Sequence, residues 1–427
     1  MEKINLKNYR CFPEMPLEFS QKITLLIGDN SSGKTTLIRA IKAALSSFFT
    51  GFSDENTRFT GLSKDDFSIN ETDYSLGNEE PIQINFEWLD KTAALELKSP
   101  KGRTLQEPLK SIKLKGAEIY KNMFVEKKQV LPLPLIASFS TSDIHSSRKI
   151  SLEQFKKYEH KPSFGYYECL QGDGFLEYWT KRLLVLREAN RGDLEINGVI
   201  SSVIAALGPD GCNVVTDVHI RPNQGKVYYF LNDNRVSDTE NLSDGLRRLI
   251  NIVMDLAFRC MLLNKGYYGS EACKKTTGTA LIDEIDLHLH PTLQSTVMKG
   301  LQNAFPNLQF IITSHAPMVM TGIPIDEQNK IIKLGFNKSE GYSAKEIETY
   351  GLDASTIILA ILGVTPRSQD VEDRLSTLFE FIDNNQYNEA SLKLTEMRSQ
   401  FGYNLPELAK AEAMLNFLTD KPNDSNK

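Results

Sequence analysis

The chain has 427 residues, of which 41% are hydrophobic and 24% charged, proportions ordinary for a globular protein of two or three domains. Its 49 Lys and Arg residues against 55 Asp and Glu residues give a net charge of −6, which excludes an overall basic nucleic-acid coat protein but leaves room for a local basic patch. No apolar run approaches the roughly 20 residues that span a bilayer, and the five scattered cysteines fit a reducing compartment, so we expect a soluble, cytoplasmic protein.

The first predicted elements are two short strands and a strand–loop–helix unit. Alternation at residues 4–6 and a turn at Pro13 precede a buried apolar strand over residues 22–27. A glycine-rich segment follows this strand, and apolar residues at helical spacing then run from Leu37 to Leu45. Residues 48–80 are mostly polar and predict a long exposed loop.

The middle of the chain mixes strands and helices. Residues 82–88 alternate cleanly and predict a strand, and the stretch from Lys98 to Lys128 is locally basic with one apolar helical face. The further predictions here are a strand over residues 131–139, a helix over 175–186, two strands over 214–231 and a turn at 232–234.

The second half alternates buried strands with helices. The pattern predicts a long helix after Ser243, a strand over residues 279–283, a helix over 291–305 and a strand over 310–313. Such alternation favours a parallel sheet covered on both faces. The pattern changes after Gly335, and residues 352–417 are mostly helical. We therefore expect an α/β head over residues 1–344 with a mixed insertion at about 98–211, and an α-helical region over 345–427 with a disordered tail.

The glycine-rich segment matches the phosphate-binding P-loop pattern G-x-x-x-x-G-K-[ST] between the required strand and helix. Its glycines let backbone N–H groups surround phosphate oxygens, and the N-terminus of the new helix favours negative charge. Lys34 is placed to reach the β- and γ-phosphates, and Thr35 to ligate Mg²⁺. The candidate nucleotide-binding residues of this loop are Gly28, Asn30, Ser31, Ser32, Gly33, Lys34, Thr35 and Thr36.

Two carboxylates end the apolar strand Ala280-Leu281-Ile282. Beside a P-loop this arrangement suits Mg²⁺ chemistry on a nucleoside triphosphate. Asp283 would hold the metal through Thr35 or a water, and Glu284 would orient and deprotonate the attacking water. Without the P-loop, a strand ending in two solvated acids would be the better interpretation.

Two further motifs have both a structural and a functional interpretation. Ser243 and Gly245 open the long predicted helix, where a serine can be a plain N-cap. His315 follows the last buried strand, and a lone histidine is more often structural. A strand end in an α/β sheet, however, lies on the edge where ligands bind.

The order and spacing of these motifs resemble the ATP-binding-cassette (ABC) ATPases of the RecF/SMC/OLD type. The motifs are the P-loop, the LSDG signature at 242–245, ALIDE at 280–284 and the histidine of SHAP. Over nearly the whole chain the sequence is similar to the PtuA-like ATPases of Septu and retron-linked anti-phage systems. The shared segments are NYRCF, LSDGLRRL, GTALIDEIDLHLHP, FPNLQFIITSHAP, YGLDASTIILAILG and EDRLSTLFEFIDNNQYNEA.

This resemblance implies an ABC-type head whose dimer encloses two ATP molecules and hydrolyses them slowly. Ser243 and Gly245 would then contact the ATP held by the other subunit, His315 would sense the γ-phosphate, and Asp286 would lie in the loop that couples the two sites. LSDG departs from the LSGGQ of transporters, which argues against membrane transport. No residue between 58 and 83 can be chosen as the glutamine of the Q-loop.

The resemblance also implies partners. These are a second head in an even-numbered assembly, an HNH-type nuclease, and, in retron-linked relatives, a reverse transcriptase with its DNA–RNA product. The acids of the C-terminal region lie on a predicted solvated helix face, so we expect no nuclease activity in this chain. Its apolar helical stripes make that region our predicted docking or oligomerisation surface.

Several alternatives stay open. His288 and His290 could share a metal ion, and Arg10 could lie near the nucleotide. The stretch from Lys98 to Lys128 could contact nucleic acid or be a solvated insertion. The whole chain could instead be a RecF-like repair ATPase without a toxic effector. It could also be a scaffold whose oligomer is held together by ATP without hydrolysis. Glu284 argues against this alternative, because an acid that positions water is needed only for hydrolysis.

Overall fold

The computed structural model describes residues 1–53, 58–68, 80–125, 131–140, 158–172, 174–324, 326–365, 367–402 and 405–419. Its strands are β1 (Lys3–Tyr9), β2 (Phe12–Glu18), β3 (Ile23–Gly28), β4 (Ile82–Trp88), β5 (Lys91–Leu97), β6 (Leu135–Phe139), β7 (Val215–Arg221), β8 (Lys226–Leu231), β9 (Val236–Asp238), β10 (Gly278–Ile282), β11 (Leu308–Thr313), β12 (Asn329–Asn337) and β13 (Gly341–Ile347). Its α-helices are α1 (Lys34–Ser46), α2 (Lys110–Val125), α3 (Leu176–Glu188), α4 (Asp193–Leu207), α5 (Asp244–Tyr268), α6 (Ala272–Lys275), α7 (Pro291–Gln294), α8 (Val297–Ala304), α9 (Pro317–Thr321), α10 (Ala354–Thr356), α11 (Gln369–Asp383), α12 (Tyr387–Phe401) and α13 (Pro406–Thr419).

The central sheet has six strands in the order β13-β12-β3-β11-β10-β6. All pairs are parallel except the edge pair β12–β13. β3 and β11 are buried along their whole length, as expected for strands covered on both faces. The predicted α/β class with a parallel, covered sheet is confirmed. The P-loop, Asp283 and His315 follow three adjacent strands at the carboxyl edge of this sheet.

A second, antiparallel sheet has the order β2-β1-β4-β5 and packs its buried face into the same apolar core as α1. The predicted turn at Pro13 is wrong, because Pro13 lies within β2. β2 is an edge strand, where the missing N–H of proline leaves no partner unpaired. The chain turns instead at Arg10–Cys11, where the φ of Arg10 is 52°.

Helices α3, α4 and α5 are joined by a buried carboxylate. Glu195 of α4 is 1% exposed and accepts hydrogen bonds from Arg182 of α3 at 2.5 Å and Lys265 of α5 at 2.7 Å. Nearby, Asp255 of α5 binds Arg259 at 2.5 Å in an equally buried ion pair. α5 is buried along most of its length, so it is the central helix of this part of the head.

The structure differs from the predicted elements in two places. The helix predicted over residues 291–305 is divided into α7 and α8, because the hydroxyls of Ser295 and Thr296 bond back to the Thr292 carbonyl and compete with the helix ladder. The strands β12 and β13 were not predicted. Lys345, the expected first residue of the helical region, lies in β13 opposite Lys333, and β6, inside the expected insertion, belongs to the central sheet.

The chain divides into two compact units, residues 1–354 and 355–427. In the second unit, α11, α12 and α13 pack around a core that includes Leu378, Met397 and Leu408. The apolar stripes of these helices therefore cover one another within the unit. The predicted disordered tail from Asp420 lies outside the described residues.

Candidate nucleotide-binding site

The P-loop connects the end of β3 to the start of α1. Gly28 and Gly33 both have positive φ, 147° and 93°, and both are closely packed. A Cβ at Gly28 would lie 2.2 Å from the Leu334 carbonyl oxygen, and one at Gly33 would lie 2.3 Å from the Phe12 ring. Only glycine fits at these two positions, so β12 and β2 fix the shape of the loop from outside.

The Lys34 ammonium lies over the loop. It donates hydrogen bonds to the carbonyls of Gly28 at 2.8 Å and Asp29 at 2.9 Å. Burial lowers the pKa of Lys34, against the opposing charges of Asp29, Glu284 and other nearby carboxylates. The lysine therefore sits between the loop and the carboxylates of the neighbouring strands, where a phosphate would be bound.

The remaining residues of the P-loop differ in their exposure to solvent. Asn30 and Ser31 are exposed, Ser32 is buried, and Thr35 and Thr36 stand in the first turn of α1 with Thr35 exposed. The first N–H groups of α1 have no partner within the helix. An accessible hydroxyl, a lysine and free helix N–H groups together fit a nucleoside triphosphate with its Mg²⁺.

Thr313, at the end of β11, holds both carboxylate residues that follow β10. Its hydroxyl donates to Asp283 Oδ1 at 2.6 Å and accepts from the Glu284 N–H at 2.7 Å. Asp283 is buried, whereas Glu284 is half-exposed and has a φ of 49°. The acid thus sits on a strained backbone that a neighbouring strand fixes.

Arg248 of α5 binds the same backbone from the other side. Its guanidinium donates to the carbonyls of Asp283 and Glu284, each at 2.6 Å. Sequence analysis gave Thr313 no role in the site, and it interpreted Arg248 only as a charge near the nucleotide. Thr313 could have been found from its place at a strand end beside β10, because carboxyl ends of parallel strands meet at one edge. The contacts of Arg248 could not have been found in this way, because every residue has a backbone carbonyl and no particular residue type marks the one that is bound.

Asp286 and His315 meet at the same edge of the sheet. The backbone N–H of His315 donates to Asp286 Oδ1 at 3.3 Å, and the residue His315 is half-exposed. The structure therefore brings Lys34, Asp283, Glu284 and His315 to three adjacent strand ends. The carboxylate of Asp286 therefore has a partner within this chain, the backbone of His315 after the end of β11.

The signature segment lies at the start of α5. Ser243 is exposed and occupies the N-cap position of α5, as the structural interpretation expected, but its side chain makes no cap hydrogen bond. Gly245 packs on the loop after Asp286, where a Cβ would lie 2.2 Å from the His288 carbonyl oxygen. Packing within this chain is therefore enough to require a glycine at position 245.

Two of the other candidate residues, His290 and Arg10, have partners of their own. The His290 ring accepts from the Thr292 N–H and caps α7. Within the described residues, no group of three or more His, Cys, Asp or Glu side chains could hold a metal ion. Arg10 is bound to Asp66 at 2.7 Å. In the basic stretch, Lys127 and Lys128 lie outside the described residues.

Comparison with known proteins finds relatives that are similar over most of this chain. The family described as "AAA domain" matches residues 3–188. The retron Vc95 probable ATPase of Vibrio cholerae serotype O1 biovar El Tor is 25% identical over 388 residues, which cover 78% of this chain and 73% of that protein. The Septu protein PtuA of Bacillus mycoides strain KBAB4 is 23% identical over 401 residues and 91% of this chain. The predicted resemblance is confirmed.

Similarity to PtuA covers only part of that relative, because the aligned segment is 48% of its length. Among solved structures, the SMC head domain from Thermotoga maritima aligns with 81% of this chain at 16% identity and a TM-score of 0.42, and 98% of that chain is covered. Across the described residues, no helix is long and apolar enough to cross a membrane.

Proposed function

We propose that this chain binds ATP with Mg²⁺ and hydrolyses it at the site formed by the P-loop and the ends of β10 and β11. Lys34 would bind the β- and γ-phosphates, and Thr35 and Asp283 would hold the metal, which supplies positive charge to the phosphates. Glu284 would orient the attacking water and accept its proton, and His315 would contact the γ-phosphate. The observation that carries this proposal is the meeting of Lys34 with the carboxylates of β10 at one sheet edge.

Two heads would be needed for a complete site. The exposed Ser243, with Gly245, would contact ATP held by a second copy, and Asp286 would lie near the junction. A γ-phosphate that binds both subunits has different affinity for closed and open dimers, so hydrolysis can open the dimer. The support is the position of Ser243, which is exposed at the start of a helix and makes no cap hydrogen bond. The assembly would be even-numbered.

The ATPase would act in bacterial anti-phage defence. Similarity to a retron ATPase and to Septu PtuA over most of the chain supports this assignment. By the same resemblance, head dimerisation would gate a partner HNH-type nuclease in the cytoplasm, and a retron reverse transcriptase with its DNA–RNA product would be a further partner. This chain would contribute no nuclease activity. The docking or oligomerisation role predicted for residues 345–427 would fall to the second unit, residues 355–427, although the apolar stripes of its helices cover one another.

The test is to tag the chain in its native operon, purify it gently with ATP and identify the proteins that accompany it. A nuclease in fixed stoichiometry is the expected result. Isolation of the chain alone, with turnover stimulated by DNA, would contradict the defence proposal.

A substitution in the P-loop tests the nucleotide site itself. Lys34→Ala should lose ATP binding, whereas Lys299→Ala, at an exposed lysine, should bind ATP normally. Normal ATP affinity in Lys34→Ala would contradict the assignment of the P-loop.

A second candidate is a RecF-like repair ATPase that contacts DNA. The observation that favours it is a set of exposed basic side chains before and along α2: Lys98, Lys101, Arg103, Lys110, Lys113 and Lys121. Such side chains neutralise phosphates and make binding strongly salt-dependent. ATP turnover that rises with added duplex DNA and falls back at high salt would support this function.

A further inference from the structure

The strand order gives a bound nucleotide a direction. β3, which carries the P-loop, lies between β11 on one side and β12 on the other. The carboxylates Asp283 and Glu284 follow β10, beyond β11. A bound terminal phosphate would therefore point toward β11 and β10, because that is where the proposed metal ligand and the proposed base stand. The nucleoside at the other end of the phosphate chain would then lie toward β12 and β13.

An exposed aromatic ring stands on that side. Leu334 of β12 pairs with Gly28, the last residue of β3. Phe336 lies two residues further along β12, past the end of β3, and on the same face as Leu334 because side chains alternate along a strand. Phe336 is 57% exposed although it is at the carboxyl edge of the sheet. This edge is where ligands of parallel α/β sheets bind.

A row of rings joins Phe336 to the P-loop. The centroid of Phe336 lies 4.8 Å from that of Tyr342 on β13, and Tyr342 packs edge-to-face on Phe12 at 5.2 Å. Phe12 in turn lies against Gly33, the residue that precedes α1. Three aromatic side chains thus extend from the start of the phosphate-binding helix to the surface. The inner two are supported on both sides, whereas the outer one presents its ring to solvent.

We propose that Phe336 contacts the base of the bound nucleotide, with Tyr342 and Phe12 holding its ring in place. This inference rests on the proposed function and adds the nucleoside end of the same site. A single exposed phenylalanine is ordinary on a protein surface. Phe336 differs in two ways. Its ring packs on Tyr342, which connects it through Phe12 to the P-loop, and it lies on the side of the P-loop where the base would be. Stacking accepts any base, so this contact provides affinity rather than a choice of base.

The experiment compares a ligand that has a base with one that lacks it. Titration calorimetry on the full chain would measure binding of ATP and of inorganic tripolyphosphate. Phe336→Ala should weaken ATP binding about tenfold, a loss typical of one stacked base, and leave tripolyphosphate binding unchanged. Phe336→Trp should retain ATP affinity. Phe417→Ala, which removes an even more exposed phenylalanine from the second unit, is the control.

Two outcomes would overturn the inference. One is unchanged ATP affinity in Phe336→Ala. The other is equal weakening of both ligands, which would place the effect on the phosphate end of the site. Failure of the proposed function looks different, because the unmodified chain would then bind neither ATP nor tripolyphosphate.

Discussion

The guanidinium of Arg248 lies 2.6 Å from the carbonyl oxygen of Glu284, the acid that we propose as the base for hydrolysis. The same guanidinium binds the carbonyl of Asp283, and Thr313 binds the Glu284 N–H from the opposite side. The φ of Glu284 is 49°, a backbone conformation that costs energy in a residue with a side chain. Hydrogen bonds from two different elements hold this conformation, so the direction of the carboxylate depends on α5 and β11.

Removal of this guanidinium should slow hydrolysis while preserving nucleotide binding. Arg248→Ala would free the backbone of Glu284, and a misplacement of about 1 Å can cost a hundredfold in rate. We expect ATP turnover to fall at least about tenfold with the affinity for ATP nearly unchanged. The adjacent Arg247→Ala is the matched control, since Arg247 is exposed. Equal turnover in the two variants would show that Arg248 does not position Glu284.

Glu284→Gln should separate binding from hydrolysis. The amide keeps the shape of the side chain but cannot accept the proton of the attacking water. We expect turnover to be lost, ATP to remain bound, and a dimer to persist in size-exclusion chromatography with ATP. Glu271→Gln, at an exposed acid, should behave as the unmodified chain. Unchanged turnover in Glu284→Gln would remove Glu284 as the base.

The buried Glu195 should make the stability of the head depend on acid pH. Burial alone would raise the pKa of Glu195, but the hydrogen bonds and charges of Arg182 and Lys265 prevail and lower it below its ordinary 4.5. A carboxyl whose pKa is lower in the folded state stabilises the fold above the unfolded pKa and loses that contribution as the pH falls through the folded value.

Glu195→Gln should therefore cost about 2–3 kcal/mol of unfolding free energy at pH 7, since it removes the buried carboxylate that binds both Arg182 and Lys265 and leaves Arg182 only the more distant Glu159, at 4.0 Å. The difference from the unmodified chain should shrink as the pH falls below about 4.5. Urea unfolding at several pH values measures this. The exposed Glu188→Gln should show no such trend. A difference independent of pH would mean that the charge of Glu195 is not what stabilises the helices.

The position of a C-terminal truncation should decide whether the head stays folded. A chain ending at Ala354 retains β13 and its pairing with β12, and we expect it to fold and bind ATP. A chain ending at Ala344 removes half of β13 and exposes part of β12 beside the P-loop strand. We expect this shorter chain to aggregate and to bind ATP poorly. Indistinguishable solubility and ATP affinity would contradict a structural role for β13.

Local sequence was enough to predict the candidate nucleotide-binding residues. The P-loop from Gly28 to Thr36 and the pair Asp283 and Glu284 could be identified because a glycine pattern, or carboxylates after an apolar strand, need no long-range information. We predicted two elements correctly for the same reason: the strand over residues 82–88 and the long helix after Ser243. The spacing of apolar residues that indicates each of them is visible in a short stretch of sequence.

Tertiary structure alone decided how that chemistry is held in place. β3 pairs with β12 about 300 residues later, and no local pattern marks this pairing. The bonds from Arg248 to backbone carbonyls likewise leave no signature, because every residue has a carbonyl. The row from Phe336 through Tyr342 to Phe12 exists only because β2 and β13 come together in the fold. Motifs are local in the chain, whereas their support comes from strands and helices that meet only on folding.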